Sequence, residues 1–267
     1  MSFRDLHKPG DPFILANAWD AGSARMLQGM GAQAIATSSA AFAFTKGLPD
    51  GGHTSRDDNL AHAQEILNAV SVPVSGDFED GFGESPETCA ETVQLSGEVG
   101  LAGICIEDTI AASERYYDFD LAVERVCAAS AAARALPGDL FFVARADGVM
   151  TGGYDMDEAI RRVQAFDAAG ADGIYVPLPP TMEDLKRVVA ATTKPVNVLA
   201  AGRFAKFTRA EFAAAGVARI SLGSSLARVT HRAIFEASEA MFQHGDFSPL
   251  TSAMLGDKVD ALIKQKT

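Results

Sequence analysis

The feature that most constrains this chain is a repeat: short apolar runs, each followed by a turn and then by a longer stretch with helical spacing. Eight such runs are present, PFILAN (12–17), AQAIATS (32–38), VPVSGD (72–77), LAGICIE (101–107), LFFVAR (140–145), ADGIYVP (171–177), PVNVLA (195–200) and VARISLG (217–223). Strands that are apolar on both faces must be covered on both sides, the habit of parallel sheets. Between them, RDDNLAHAQEILNAV and MDEAIRRVQAFDAAG repeat apolar residues three and four positions apart, as a helix with one buried face does. Gly31 and Gly170, each followed directly by alanine and an apolar run, fit helix stops with immediate strand entry. Eight units suffice to close a (β/α)8 barrel, so the predicted class is α/β with TIM-barrel architecture, with an open doubly wound sheet as the rival.

With 267 residues and 48% hydrophobic content, a single barrel domain over residues 1–267 is expected. Past the eighth run, SSLARVTHRAIFEASEAMFQHG predicts a long helix and SPLTSAMLGDKVDALIKQ one or two more. A barrel does not need this tail, so it points to a subunit interface or to packing beneath its own barrel. A formal charge of −12 repels nucleic-acid phosphates and anionic membranes, which argues against both as partners. Three cysteines without CxxC spacing argue for reduced thiols, and MSFRDLHKPGD lacks the apolar centre of a signal peptide. A soluble cytoplasmic location is the expectation.

In such barrels chemistry gathers at the C-terminal ends of the strands. There the chain places Asn17 and Asp20, then Thr37, Ser38 and Ser39, with Asp50 and His53 in the following loop. Next come Asp77, Glu79 and Asp80, then Glu107 and Asp108, Arg145 and Asp147, and Asn197, the last read as substrate-binding. Alternation puts Ser75 with Asp77, Cys105 with Glu107, and Val143 with Arg145 on shared faces. If those faces point inward, several carboxylates meet near the axis. Two like charges about 4 Å apart repel by about 4 kcal/mol at an effective dielectric of 20, so the cluster calls for a cation. All-oxygen donors without paired His or Cys favour Mg²⁺, or Mn²⁺, over zinc. Glu84 and Asp108 read as solvated or capping residues, Asp80 stands evenly between roles, Cys105 reads as core, and the histidines give no reason to invoke catalysis.

Together these residues resemble the isocitrate lyase and phosphoenolpyruvate mutase superfamily, from Asn17 to about Ser225. The match rests on ANAWDAGSARM, TSS (37–39), KGLPD ending at Asp50, GDFEDGFG, GICIEDT, FVARADG and GADGIYV, with GLPD and PVNVLA resembling the bacterial phosphonomutase-like branch. The resemblance implies a Mg²⁺-binding barrel acting beside an enolate. In it Asp77 is the principal metal ligand, Asp50, Glu79 and Glu107 hold the ion's waters, and Arg145 faces the substrate. Ser38, Ser39 and Ala40 would grip a substrate carboxylate. It also implies a homotetramer with the final barrel helix swapped onto a neighbour. The loop EDTIAASERYYDFD lacks the Lys-Lys-Cys-Gly-His stretch of the isocitrate and methylisocitrate lyases and the Lys-Thr-Asn gate of the mutases, and Pro177 stands where the mutases carry histidine. Glu79 replaces the more usual Asp.

The resulting expectation is a Mg²⁺-dependent lyase or decarboxylase cleaving a C–C bond of a small, oxaloacetate-like 2-oxo or 2-hydroxy acid. In that scheme Arg145, Asp50 and Glu107 serve catalysis, Asp77, Glu79 and Glu107 the metal, Thr109 to Asp118 forms a lid, and water or a loop tyrosine, Tyr116 or Tyr117, donates a proton. The alternatives are a P–C bond enzyme, such as a phosphonopyruvate hydrolase or mutase, and a barrel that binds a keto acid without turnover.

Overall fold

A computed structural model describes residues 2–111, 113 and 115–264. Each of the eight apolar runs contains one parallel strand: β1 (Phe13–Asn17), β2 (Ile35–Ala36), β3 (Val74–Asp77), β4 (Gly103–Glu107), β5 (Phe141–Arg145), β6 (Gly173–Tyr175), β7 (Val196–Leu199) and β8 (Arg219–Ser221). Each pairs with the next and β8 returns to β1, closing the barrel. The open-sheet rival is thereby excluded. The strands are shorter than the apolar runs that predict them, because the flanking residues serve as turns.

The helices are α1 (Ala21–Gly29), α2 (Ser39–Thr45), α3 (Arg56–Ala69), α4 (Pro86–Glu98), α5 (Phe119–Ala135), α6 (Gly148–Thr151), α7 (Met156–Ala168), α8 (Met182–Ala190), α9 (Arg209–Ala214), α10 (Ser225–His244) and α11 (Gly256–Ile263). Their starts follow local chemistry. Asp20 and Ser23 form a reciprocal capping box on α1, Ser55 and Asp58 another on α3, and Asp155 accepts from two first-turn N–H groups of α7. Gly170, at φ +95°, supplies the left-handed residue that turns α7 into β6.

Two apolar layers result. The larger lies between barrel and helices, with Ile35, Ile104, Phe142, Ile174 and Val198 pointing outward from their strands. The smaller fills the lower interior with Phe3, Leu6, Phe13, Phe141 and Val143. The N-terminal segment plugs the bottom: the His7 ring stacks on Phe141 at 3.9 Å, and a Cβ on Gly103 would come within 2.6 Å of Phe3. With its floor filled among the described residues, the barrel opens toward the strands' C-terminal ends. There Asn17 ties the rim, accepting from Leu222 and Gly223 N–H at 2.8 and 2.9 Å while donating to the Thr37 carbonyl at 2.7 Å.

The long helix predicted after the eighth strand is α10, and of its residues only Ala227 is buried. Val229, Ile234, Phe235 and Phe242 stand in solvent, and so does Ile14 on the outer face of β1. α11 packs beside α1. No helix among the described residues is long and apolar enough to cross a membrane.

Candidate active site

A cavity of about 370 Å³ opens at the strands' C-terminal ends. It is lined by Ser38, Ser39, Ala40, Asp50, Asp77, Glu79, Glu107 and Arg145, that is, by all but one of the side chains that sequence reading assigned to the site. The exception is Asn197. It is buried a layer lower, donating to Ser221 Oγ at 2.9 Å and accepting from Arg219 Nε at 2.9 Å. It is a support for Arg219 and does not touch the cavity. Strand parity correctly places it inside the barrel but carries no information about depth.

Arg145 organises the centre. Its Nη1 donates to Asp77 Oδ1 at 2.8 Å, its Nη2 reaches Glu107 Oε2 at 2.9 Å and Asp147 Oδ2 at 2.5 Å, and its Nε donates to Asp147 Oδ1 at 3.1 Å. Three of its five N–H groups thus donate hydrogen bonds and Nη2 is also ion-paired with Glu107, which leaves one N–H on Nη1 without an acceptor among these acids. Asp77 Oδ2 accepts from the backbone and hydroxyl of Ser39, both at 2.9 Å, and Oδ1 lies 3.5 Å from Cys105 Sγ. Cys105, read as core, therefore borders the cavity. Ser38 caps α2 through Ala41 N–H at 3.3 Å. The Ala40 N–H has no acceptor within its own helix, as a first-turn group cannot.

One guanidinium faces three carboxylates, an excess of acid over cation. Burial pushes the Glu107 carboxyl well above its ordinary range, with Arg145 opposing and Asp147 and Asp77 reinforcing. Asp147 moves up for the same first reason, burial, against the pull of Arg145. Glu79, a buried residue at φ +45°, is pushed up to about 7 by burial, and both its oxygens accept the Gly52 N–H at 3.2 Å. A non-glycine residue in this backbone region is held there by its surroundings, a habit of functional sites. Asp50 stands at the mouth on an exposed loop. Desolvation on its cavity side, and then the Asp77 charge, raise its pKa.

Behind this shell lies a second network that sequence reading missed. Asp108, read as solvated or capping, is buried and accepts from Asp147 N–H at 2.8 Å, Tyr154 Oη at 2.7 Å and Arg162 Nη1 at 2.9 Å. Its partner Arg162 comes from α7, so nothing local announces the pair. Asp80 is also buried, and its Oδ2 accepts from Tyr117 Oη at 2.8 Å and Ala111 N–H at 3.2 Å, pinning both ends of the loop after β4. Tyr117 is thus tied away from the cavity, and Tyr116 does not line it either. The predicted tyrosine proton donor is not supported by this geometry. Two residues of the predicted lid, Ala112 and Glu114, lie outside the described residues.

Among the described residues no three Asp, Glu, His or Cys side chains form a ready cage for a metal ion. The donor set would suit a different arrangement, with Asp77, whose oxygens here accept from Arg145 and Ser39, as one direct ligand and Asp50, Glu79 and Glu107 around it to hold waters. Mg²⁺, which dehydrates reluctantly and is held by one or two carboxylates, suits such a site. The surplus of pushed-up carboxyls is the charge a divalent cation would neutralise.

A closed parallel barrel with one buried arginine among acids at its open rim defines a barrel enzyme that works at the C-terminal face of its strands. Residues 3–242 match the family described as phosphoenolpyruvate phosphomutase. The chain is 30% identical to a 2-methylisocitrate lyase of Vibrio cholerae, covering 94% of this chain and 85% of that one. It is 38% identical to a solved structure from Burkholderia cenocepacia J2315 that carries only a provisional lyase/mutase description, with a TM-score of 0.93 over 98% of this chain and 94% of that one. A 2,3-dimethylmalate lyase structure superimposes with a TM-score of 0.83 at 26% identity, over 96% and 90% of the two chains. This chain belongs to the phosphoenolpyruvate phosphomutase family, within the isocitrate lyase superfamily of lyases and mutases.

Proposed function

We propose that the protein is a Mg²⁺-dependent lyase that cleaves a C–C bond of a small 2-oxo or 2-hydroxy carboxylic acid, with oxaloacetate-like decarboxylation as the leading case. The observation that carries this is the Arg145 cluster, in which a fixed cation and a surplus of buried acids meet in a cavity sized for a small acid. C–C rather than P–C cleavage is favoured by the similarity to 2-methylisocitrate lyase. When bound, the divalent ion supplies Lewis acidity toward the substrate's carboxylate and 2-oxo oxygens.

The chain's own groups do the rest. The free N–H of Arg145 meets the oxygen on which negative charge grows, and because the guanidinium is already oriented, no reorganisation accompanies the step. The Ala40 N–H and the Ser38–Ser39 turn hold the substrate carboxylate. Loss of carbon dioxide from the third carbon leaves its electron pair on the enolate, which then takes a proton at that carbon. Glu107 and Asp147, sharing one guanidinium, bind a proton together more readily than either does alone, and Glu107 faces the cavity to deliver it. Purified protein with Mg²⁺ is expected to consume a 2-oxo diacid in a panel of oxaloacetate, 2-methylisocitrate, isocitrate and phosphonopyruvate, while Asp77→Ala loses roughly 10²-fold or more of that turnover by the scale of lost charge stabilisation. Undiminished turnover by the variant would remove Asp77 from the mechanism, and consumption of phosphonopyruvate alone would move the chemistry to P–C cleavage.

We also propose a homotetramer in which α10 seats on a neighbouring copy. The apolar face of α10 and the bare outer wall at Ile14 support this. Sedimentation should give one assembly larger than the monomer, reduced to monomer by Ile234→Asp with Phe235→Asp.

A further inference from the structure

A second arginine, which the mechanism leaves unused, lies at the floor of the same cavity. Arg219 starts β8, is 3% exposed and lines the cavity. Its hydrogen-bonding partners are both uncharged. Nε donates to Asn197 Oδ1, and Nη1 lies 3.5 Å from His7 Nε2. The His7 ring donates through Nδ1 to the Phe3 carbonyl, 3.0 Å away, so Nε2 offers a lone pair. Burial, with Arg219 itself reinforcing, pushes the His7 pKa down to about 3, so the imidazole stays neutral. Arg219 falls to about 10 through burial and remains charged at neutral pH. No ion pair to Arg219 and no hydrogen bond from its Nη2 occur among the described residues.

A buried guanidinium without a counter-ion is costly, and such a group is ordinarily paired. Arg145 has three carboxylates and Arg219 none, although the barrel is rich in acid. The missing anion therefore comes from outside the chain. Cys105, whose thiol lies 3.5 Å from Asp77 Oδ1, lines the same cavity as Arg219 and marks the level below the acid cluster. Cys105 lies one inward-facing step below Glu107 on β4, a rise of about 6.6 Å. A four-carbon diacid is of that length.

We propose that Arg219 holds the second carboxylate of a dicarboxylate substrate at the cavity floor, making it the residue that selects diacids over monoacids. Asn197 and His7 position it, and Tyr175 and Ser221 line the same depth of the cavity. This rests on the functional reading above, and it assigns the substrate class within it.

The test is calorimetric, with Mg²⁺ present and three unreactive ligands: oxalate, which is too short to reach the floor, malate, and malate with its C4 carboxylate converted to the amide. Wild-type protein is expected to bind malate about 10- to 100-fold more tightly than the amide, the range of a charge-assisted hydrogen bond. Arg219→Met reduces that preference to less than threefold and leaves oxalate affinity within threefold, while Arg219→Lys keeps part of the preference. Equal binding of malate and its amide by the wild type overturns the assignment, and needs no variant to fold. An equal loss of oxalate and malate affinity in Arg219→Met also overturns it, since that is a general effect of the charge. Failure of the wild type to bind oxalate would sink the functional reading and this inference together, whereas oxalate binding without diacid preference sinks this inference alone.

Discussion

The two halves of the cavity wall are built on opposite electrostatic principles. On the side of β3, β4 and β5, Asp77, Glu107 and Asp147 crowd one guanidinium, and the pKa values of Glu107 and Asp147 rise because burial leaves their charge only partly answered. On the side of β6, β7 and β8, the uncharged Tyr175 and Ser221 line the wall beside one cation, Arg219, with Asn197 behind them bonded to both Ser221 and Arg219. The first half holds surplus negative charge and the second surplus positive charge, within one cavity of about 370 Å³. Proximity does not cancel them, because each charge is fixed to its own strand. A ligand that carries both a cation and anionic groups satisfies both halves at once.

The largest expected way to break this contrast is Arg145→Met. Removing one partner of a buried ion network leaves its charges unanswered and costs about 3–5 kcal/mol. Urea unfolding is expected to show that loss, and adding Glu107→Gln should restore part of it by removing one of the stranded acids. Full stability in the single variant would mean that the acids are neutral without the arginine.

A smaller effect sharpens the acidic half by pH. Glu79 has a folded pKa of about 7 against an ordinary 4.5, so the folded state holds the proton more tightly than the unfolded one. Its contribution is therefore most favourable below about pH 4.5 and is lost as pH rises through about 7. Across that window the wild type should lose about 1–3 kcal/mol relative to Glu79→Gln, measured as the pH dependence of the two unfolding free energies. Parallel curves would contradict the raised pKa. In the same window divalent-ion affinity should rise with pH, since the ionised Glu79 carboxylate would hold the ion's waters more strongly than the neutral one.

Much of the barrel was legible because a parallel strand covered on both faces must be apolar throughout, and turn residues punctuate it. AQAIATS nevertheless contracts to Ile35–Ala36, since Thr37 and Ser38 leave the strand to bind Asp77 N–H and cap α2. Asp77, Glu107 and Arg145 were legible by another rule: a charge ending an apolar run seldom lies there unpaired. Asp108 defeated that rule because it faces the other way from Glu107 and finds Arg162 across 54 residues. Arg219 left one faint signal, a lone charge inside the apolar run VARISLG, sharing parity with Ser221. What sequence lacks is depth along the barrel axis, and depth separates Asn197 from the cavity it was assigned to.

With three N–H groups of Arg145 hydrogen-bonded to Asp77 and Asp147 and a third acid, Glu107, ion-paired to it, this side chain has little freedom to follow an incoming molecule. It behaves as a stop rather than a hand. A compound whose oxygen falls short of the remaining proton receives nothing, because the arginine would have to abandon a carboxylate to reach it. Stiffness of this kind would make the pocket a gauge of molecular length, sensitive to a single added or missing methylene.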